Sequence, residues 1–144
     1  MDGTFVDRRL YFLLNVAQQA IRKRVDDEAL ERVGLTSAQC GALFYVAKHD
    51  GCLLKELAEG LGLKNAAITG LVARTEKTGC LRRDPSPDDA RATKLHLTPK
   101  GQRKLREIHT LNQELQRSLT EGFSTGELDV VLRFLQHTIA LGSR

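Results

Sequence analysis

The sequence predicts a mainly α fold with a small β-wing: a winged helix-turn-helix between N- and C-terminal helical arms. Three observations predict it. Both ends of the chain repeat apolar residues at helical spacing. Two short helical segments in the middle are joined by a tight glycine-containing turn. Directly after them, two short extended segments flank a cluster of Pro and Asp. The 144 residues (16.0 kDa) suit one ordinary domain, or one domain with an attached oligomerisation arm. With 41% hydrophobic and 28% charged residues the composition is globular, not that of a disordered tail. Aromatics are 5% and Trp is absent, so the core is expected from Leu, Val, Ile and Ala.

Several functional classes drop out. No apolar run approaches the roughly 20 residues of a membrane span. The start, Met1-Asp2-Gly3-Thr4-Phe5, lacks the basic and apolar blocks of a secretory signal, so a cytoplasmic protein is expected. Cys40, Cys52 and Cys80 are odd in number and widely spaced, against a disulfide framework or a thiolate zinc site. Phosphate-binding loops, dinucleotide fingerprints, metalloprotease helices and nucleophile elbows are all missing from the sequence. The expectation is therefore no enzyme, no cofactor and no metal.

The first helix is expected over about Val6–Glu31. Leu10, Leu13, Leu14, Ala17 and Ile21 share one face, while Phe12 and Val16 fall outside it, so the helix has more than one partner. Val33-Gly34-Leu35 breaks it. Thr36-Ser37-Ala38-Gln39 is a capping box that opens a second helix to about His49, with Leu35 and Cys40 at the staple positions. A short helix near Leu54–Leu61 is stopped by Gly60-Leu61-Gly62, and another runs from about Asn65 to Thr78, ended by Gly79. Leu81–Asp84 and Thr93–Leu97 read as strands around the Pro85–Asp89 turn, with Thr93, Leu95 and Leu97 on one side. Thr98-Pro99 caps a long helix to about Glu121. Ser124-Thr125-Gly126-Glu127 is a second capping box before a last helix carrying Leu128, Val131, Leu132, Leu135 and Ile139.

Charge is concentrated in the middle. The formal net charge is +4. Residues 64–106 hold 11 Lys/Arg against 4 acids, a net +7 that leaves −3 elsewhere. Such a concentration points to a nucleic-acid face, against the plain alternative of a solvated surface. The long apolar stripes of the end helices predict a homodimer through both termini, because one small subunit offers little to cover them. Residues 1–34 and 105–144 are thus the expected dimerisation region and residues 35–104 the DNA-binding region.

Ordered motifs from about residue 35 to 105 resemble those of the MarR (multiple-antibiotic-resistance regulator) family. Leu35-Thr36-Ser37-Ala38-Gln39 is similar to its L-T-x-x-Q opening. Leu57-Ala58 with Leu61-Gly62-Leu63 resembles its helix-turn-helix. Ile68–Val72 and Glu76–Gly79 resemble its recognition helix and exit. Arg82-Arg83 and Pro87–Ala92 resemble its wing, and Leu97–Gly101 its entry into the fifth helix. The resemblance implies a homodimeric winged-helix regulator of transcription, often a repressor released by a small phenolic or aromatic acid, or by oxidation. Three positions depart from the pattern: Ala90 stands where the wing commonly has a first arginine, Lys64 where a polar cap is usual, and Cys40 where an aromatic often follows Gln.

On that reading, Asn65, Ala66 and Thr69 are the candidate base contacts. Asn can bond adenine, and Ala and Thr methyls can meet thymine. Asn65 has a second reading as the helix N-cap. Lys64, Arg74, Lys77, Arg82, Arg83 and Lys94 are expected on the backbone, and Arg91 in the minor groove with Asp89 as its brace. Glu76 reads as a structural or solvated acid. The partner expected is double-stranded DNA with an inverted-repeat operator, its half-sites about 34 Å apart. Tyr11, Tyr45 and His49 are candidates to line a ligand pocket, against ordinary core packing. Cys80, beside Arg82-Arg83, is the candidate redox thiol, against the common case of a buried inert cysteine. A rival class is a winged-helix protein-interaction module whose basic face meets an acidic partner.

Overall fold

The computed structural model describes residues 3–143, with side chains from residue 9 onward apart from that of Ala90. Two compact units emerge, Met1–His109 and Thr110–Arg144.

In the first unit, α1 (Gly3–Glu28) runs into a single π turn, Ala29–Val33, which closes when the Gly34 amide donates to the Ala29 carbonyl at 2.9 Å. Sequence periodicity ends this helix at about Glu31. The wider turn carries it on to Val33, with Ala29 and Val33 both buried. The Ser37 hydroxyl donates to the Asp26 carboxylate, tying the end of α1 to the start of α2 (Ser37–Lys48). The predicted capping box is present: Thr36 Oγ1 accepts from the Gln39 amide at 3.1 Å, and Gln39 Oε1 accepts from the Thr36 amide at 2.9 Å.

A two-residue strand, β1 (Cys52–Leu53), precedes α3 (Leu54–Leu61), which ends at Gly62 with φ +66°. Helix α4 follows (Asn65–Lys77), then β2 (Leu81–Asp84) and β3 (Lys94–Leu97). The sheet is antiparallel in the order β1-β3-β2, with Arg83 opposite Leu95 and Cys52 also opposite Leu95. The predicted hairpin is thus the larger part of a three-stranded sheet. Helices α2, α3 and α4 close on this sheet around Val46, Leu57, Val72 and Leu95, all fully buried. Burying these side chains fixes the angle between α3 and α4, which is what presents the outer face of α4.

Helix α5 (Pro99–Thr120) starts in the first unit, with the Thr98 hydroxyl accepting from the Gly101 amide at 3.0 Å as the N-cap. The second unit holds the end of α5 and α6 (Thr125–Gly142), joined through Gly122 at φ +87°. Its capping box is formed: Ser124 Oγ accepts from the Glu127 amide at 3.2 Å, and Glu127 Oε1 accepts from the Ser124 amide at 2.9 Å. Those hydrogen bonds hold the Glu127 carboxyl below its usual range. None of the residues of α6 is buried. On α1 the expected inner face is only partly covered: Leu10, Leu14 and Ile21 are half-buried, whereas Leu13 and Ala17 are exposed. Among the described residues, no helix is long and apolar enough to cross a membrane.

Candidate nucleic-acid interface

Helix α4 presents Asn65, Ala66, Thr69 and Arg74 to solvent, while Ile68, Leu71, Val72 and Thr75 face the core. Its first turn removes the N-cap reading of Asn65. The N-cap is Lys64, in extended conformation and without a side-chain cap bond, so Asn65 is the first helical residue and its amide is not spent on capping. Ile68 is the first residue of the helix to donate back, to the Lys64 carbonyl at 3.0 Å. The Thr69 hydroxyl donates to the Asn65 carbonyl at 2.9 Å, which leaves its methyl as the group with no other engagement. Gly70 has a steric use. A Cβ there would sit 3.0 Å from Arg74 Nη1, so the guanidinium lies back along the helix surface, over Gly70.

The wing approaches the start of this helix. A cleft of about 740 Å³ is lined by Leu54, Ala58 and Leu63 from the helix-turn-helix, Asn65 and Thr69 from α4, and Asp89 and Arg91 from the wing. The structure thus brings together two of the base-contact candidates, Asn65 and Thr69, and the wing arginine from 22 or more residues away in sequence, while Ala66 is exposed but does not line the cleft. Lys64, Lys77, Arg82 and Lys94 are exposed around them.

Asp89 holds Arg91 through the main chain. Its carboxylate accepts from the main-chain amide of Arg91 at 2.9 Å, and its carbonyl accepts from the Ala92 amide at 3.0 Å. It therefore shapes the single 3-10 turn Ala90–Ala92 that carries Arg91, as Asp commonly does two residues ahead of an amide. The root of the wing is tied by His96, whose Nδ1 lies 2.9 Å from Asp50 Oδ1 and whose Nε2 lies 3.9 Å from Asp84 Oδ2.

Arg83 has a protein partner in the structure. It is engaged by Glu76 of α4 through two hydrogen bonds, Nε to Oε2 at 3.0 Å and Nη2 to Oε1 at 2.9 Å. The Arg83 guanidinium pulls the Glu76 carboxyl below its ordinary range. Both side chains keep more than a third of their exposure, 38% and 37%, so the pair adds about 0–1 kcal/mol of stability at most.

Three residues outside the expected set lock α5 to the end of α4. Lys100 Nζ donates to the Thr78 carbonyl at 2.7 Å, a cation at the negative end of α4. The Thr98 hydroxyl donates to the Gly79 carbonyl at 2.5 Å, and the Thr98 amide donates to the Cys80 carbonyl at 3.1 Å. Gly101 lies so close to that carbonyl that any Cβ would overlap its oxygen. The signal was present in the sequence as Thr98-Pro99-Lys100-Gly101, but the partner carbonyls lie about 20 residues upstream.

The ligand and redox candidates fare as follows. Tyr11 is 82% exposed. Tyr45 packs its ring over Gly60, where a Cβ would overlap it, and stacks on His49 at a 4.4 Å centroid distance. Neither Tyr45 nor His49 lines the cleft beside α4. Cys80 is fully buried, because β2 starts directly behind it and turns its thiol inward, so the accessibility expected of a sensing thiol is not met. Cys40 and Cys52 are buried too, and desolvation pushes each thiol up to about 11. The native protein should therefore resist a thiol reagent at pH 7.5, and three thiols should react at once on unfolding. Rapid labelling of one native cysteine would reveal an opening that the fold does not display.

Comparison with known proteins points the same way. A sequence model of the MarR family matches residues 33–92. The chain is 30% identical over 121 residues, 82% of this chain and 83% of the relative, to the uncharacterized HTH-type transcriptional regulator YsmB of Bacillus subtilis. It is similar in fold to a crystal structure of a MarR-family transcription regulator, at TM-score 0.81 and 24% identity over 98% of this chain and 97% of that one. A further likeness is to the S. aureus MepR–DNA complex, at TM-score 0.77 and 20% identity over 91% and 94% of the two chains. With a winged helix-turn-helix in place and a relative alike over four-fifths of both chains, this protein belongs to the MarR family of DNA-binding transcription regulators.

Proposed function

We propose that the protein is a homodimeric, sequence-specific repressor acting on double-stranded DNA in the cytoplasm, released by a small aromatic or phenolic ligand. One observation carries the reading: Asn65 and Thr69 on α4 share a cleft with Arg91 of the wing, so one protomer can address the major groove and the neighbouring minor groove together. Residues 35–104 form the reading head. The helices of residues 1–34 and 105–144 form the dimer, whose two-fold axis demands an inverted-repeat operator. Asn65, Ala66 and Thr69 carry base information. Lys64, Arg74, Lys77, Arg82 and Lys94 neutralise phosphate, and Arg91 enters the minor groove. The cleft also suits the effector. Its walls at Leu54, Ala58 and Leu63 are apolar, Arg91 supplies a cation, and an aromatic carboxylate seated there would collide with bound DNA.

The test uses a duplex selected by the protein from a randomised pool, compared with a random duplex over a range of salt. Asn65→Ala should lower affinity for the selected duplex by a factor of about 10–100, the equivalent of about 1–3 kcal/mol, and leave random DNA nearly unaffected. Because Asn65 is not the cap, the melting temperature should hold. Arg82→Ala should weaken both duplexes alike and reduce the log–log salt slope by about 1. Millimolar benzoate should displace the selected duplex from the wild type. Binding that ignores both salt and sequence would instead favour the protein-interaction module.

A further inference from the structure

An acid inside a segment that nets +7 opposes attraction to phosphate, and Glu76 stands there with its carboxylate wholly given to Arg83. The two residues are seven apart, on either side of the turn in which Gly79 takes φ +80°. Glu76 belongs to the last turns of α4, two turns beyond Thr69 on the same helical stripe as Asn65 and Thr69. Arg83 belongs to β2, paired opposite Leu95 of β3, the strand that leads out of the wing tip. A two-point bond between a planar guanidinium and a carboxylate fixes orientation as well as distance, which a single contact to a flexible lysine would not. The neighbouring cation Arg82 is exposed and opposite His96, so β2 carries one arginine turned to the helix and one left for solvent.

We propose that Glu76 and Arg83 are positioning residues for DNA reading: their bidentate pair sets the angle between the recognition helix and the wing, so that Asn65 and Thr69 meet bases when Arg91 meets the minor groove. The inference rests on the reading of α4 and the wing as the DNA-contacting elements. It withdraws Arg83 from the phosphate contacts and gives the pair a cost in nonspecific affinity and a gain in discrimination. A positive charge that could have favoured any duplex goes instead to geometry that favours one.

The experiment takes the full-length protein, the duplex selected from a randomised pool by the wild type, and a random duplex, each titrated across salt, with a thermal melt of every variant. Glu76→Gln keeps the size of the side chain and removes the charge. It should tighten random-duplex binding several-fold and steepen the salt slope by up to about 1, because Arg83 is freed toward phosphate. The selected-to-random ratio should fall by about 5-fold or more with the melt unchanged. Arg83→Gln should lower the ratio similarly without steepening the slope. The exchange Glu76→Arg with Arg83→Glu restores a pair of the same charges in reverse, and should recover most of the ratio that either exchange variant alone loses. A structural role without a part in reading would move the melt and leave the ratio. The proposal is overturned if Arg83→Gln reduces the slope by about 1 with the ratio intact while Glu76→Gln changes nothing, for Arg83 is then a phosphate contact. A wild type that shows no preference for any duplex overturns the underlying reading and the proposal with it, and differs visibly from that first outcome.

Discussion

Leu132→Glu combined with Ile139→Glu is expected to halve the sedimenting mass, from twice 16.0 kDa to 16.0 kDa, and to weaken binding to a selected duplex by 100-fold or more. The two residues lie seven apart on α6, so they share a face with Leu135 between them. All three are exposed, Leu132 at 55% and Ile139 at 69%, on a helix with no fully buried residue. An 18-residue helix with that much apolar surface in water calls for a covering surface, and in the proposed dimer a second copy would supply it with matching chemistry. At a solvent-exposed site a polar exchange shifts stability by no more than about 0.5 kcal/mol, so the separated subunit should stay folded. In an apolar dimer interface each buried, unpaired carboxylate is costly by several kcal/mol. Loss of the partner then removes one of two linked half-site contacts, and linkage of this kind is worth about 10²–10⁴ in affinity. A double variant that sediments as a dimer and binds as before would exclude α6 from the interface.

What the sequence made legible depended on how local the signal was. Both capping boxes, Thr36 with Gln39 and Ser124 with Glu127, lie within four residues, and both hydrogen-bond pairs are present. The bounds of α3 and β2 are those expected, because Gly62 and Gly79 announce the turns around them. The π turn at Ala29–Val33 was not legible, since one widened turn barely disturbs an apolar stripe. Strand β1 is two residues long and exists through its pairing with β3, some 40 residues on. The same limit holds at the candidate site. Residue type marked Asn65, Thr69 and Arg91, but the bond from Glu76 to Arg83 depends on how the chain turns at Gly79. Asp89 bonds to the main chain of Arg91 rather than its guanidinium, a choice that side-chain chemistry alone leaves open. Cys80 shows the clearest gap between neighbourhood in sequence and in space: two arginines follow it closely, yet its thiol is sealed in the core. Periodicity, finally, marks the apolar faces of α1 and α6 but carries no information about what covers them.

Gly101→Ala is expected to destabilise the protein by about 2–3 kcal/mol, although the same exchange inside a helix ordinarily gains up to about 1 kcal/mol. The reversal comes from what the new methyl would meet. It would overlap the Cys80 carbonyl oxygen and lie 3.1 Å from its carbon, and both are backbone atoms with no rotamer to change. The carbonyl cannot simply retreat, because it also accepts the Thr98 amide at 3.1 Å. Moving α5 instead would stretch two bonds on the same turn, Thr98 to the Gly79 carbonyl and Lys100 to the Thr78 carbonyl. Every route therefore gives up packing or a hydrogen bond, and overpacking of a tight contact typically costs about 1–3 kcal/mol. A fall of roughly 10 °C in melting temperature should follow. Gly126→Ala is the control. It sits in the first turn of α6, a Cβ there meets nothing within 4 Å, and its melt should hold or rise slightly. DNA binding supplies a second readout. The bonds at Thr78, Gly79 and Cys80 join α5 directly to the exit of the recognition helix, so Gly101→Ala should weaken a selected duplex even well below its melting temperature. Gly126→Ala should not. If Gly101→Ala melts with or above the wild type, the close approach of α5 to the Cys80 carbonyl is not a feature of the folded protein, and the joint between α5 and the recognition helix is looser than these bonds imply.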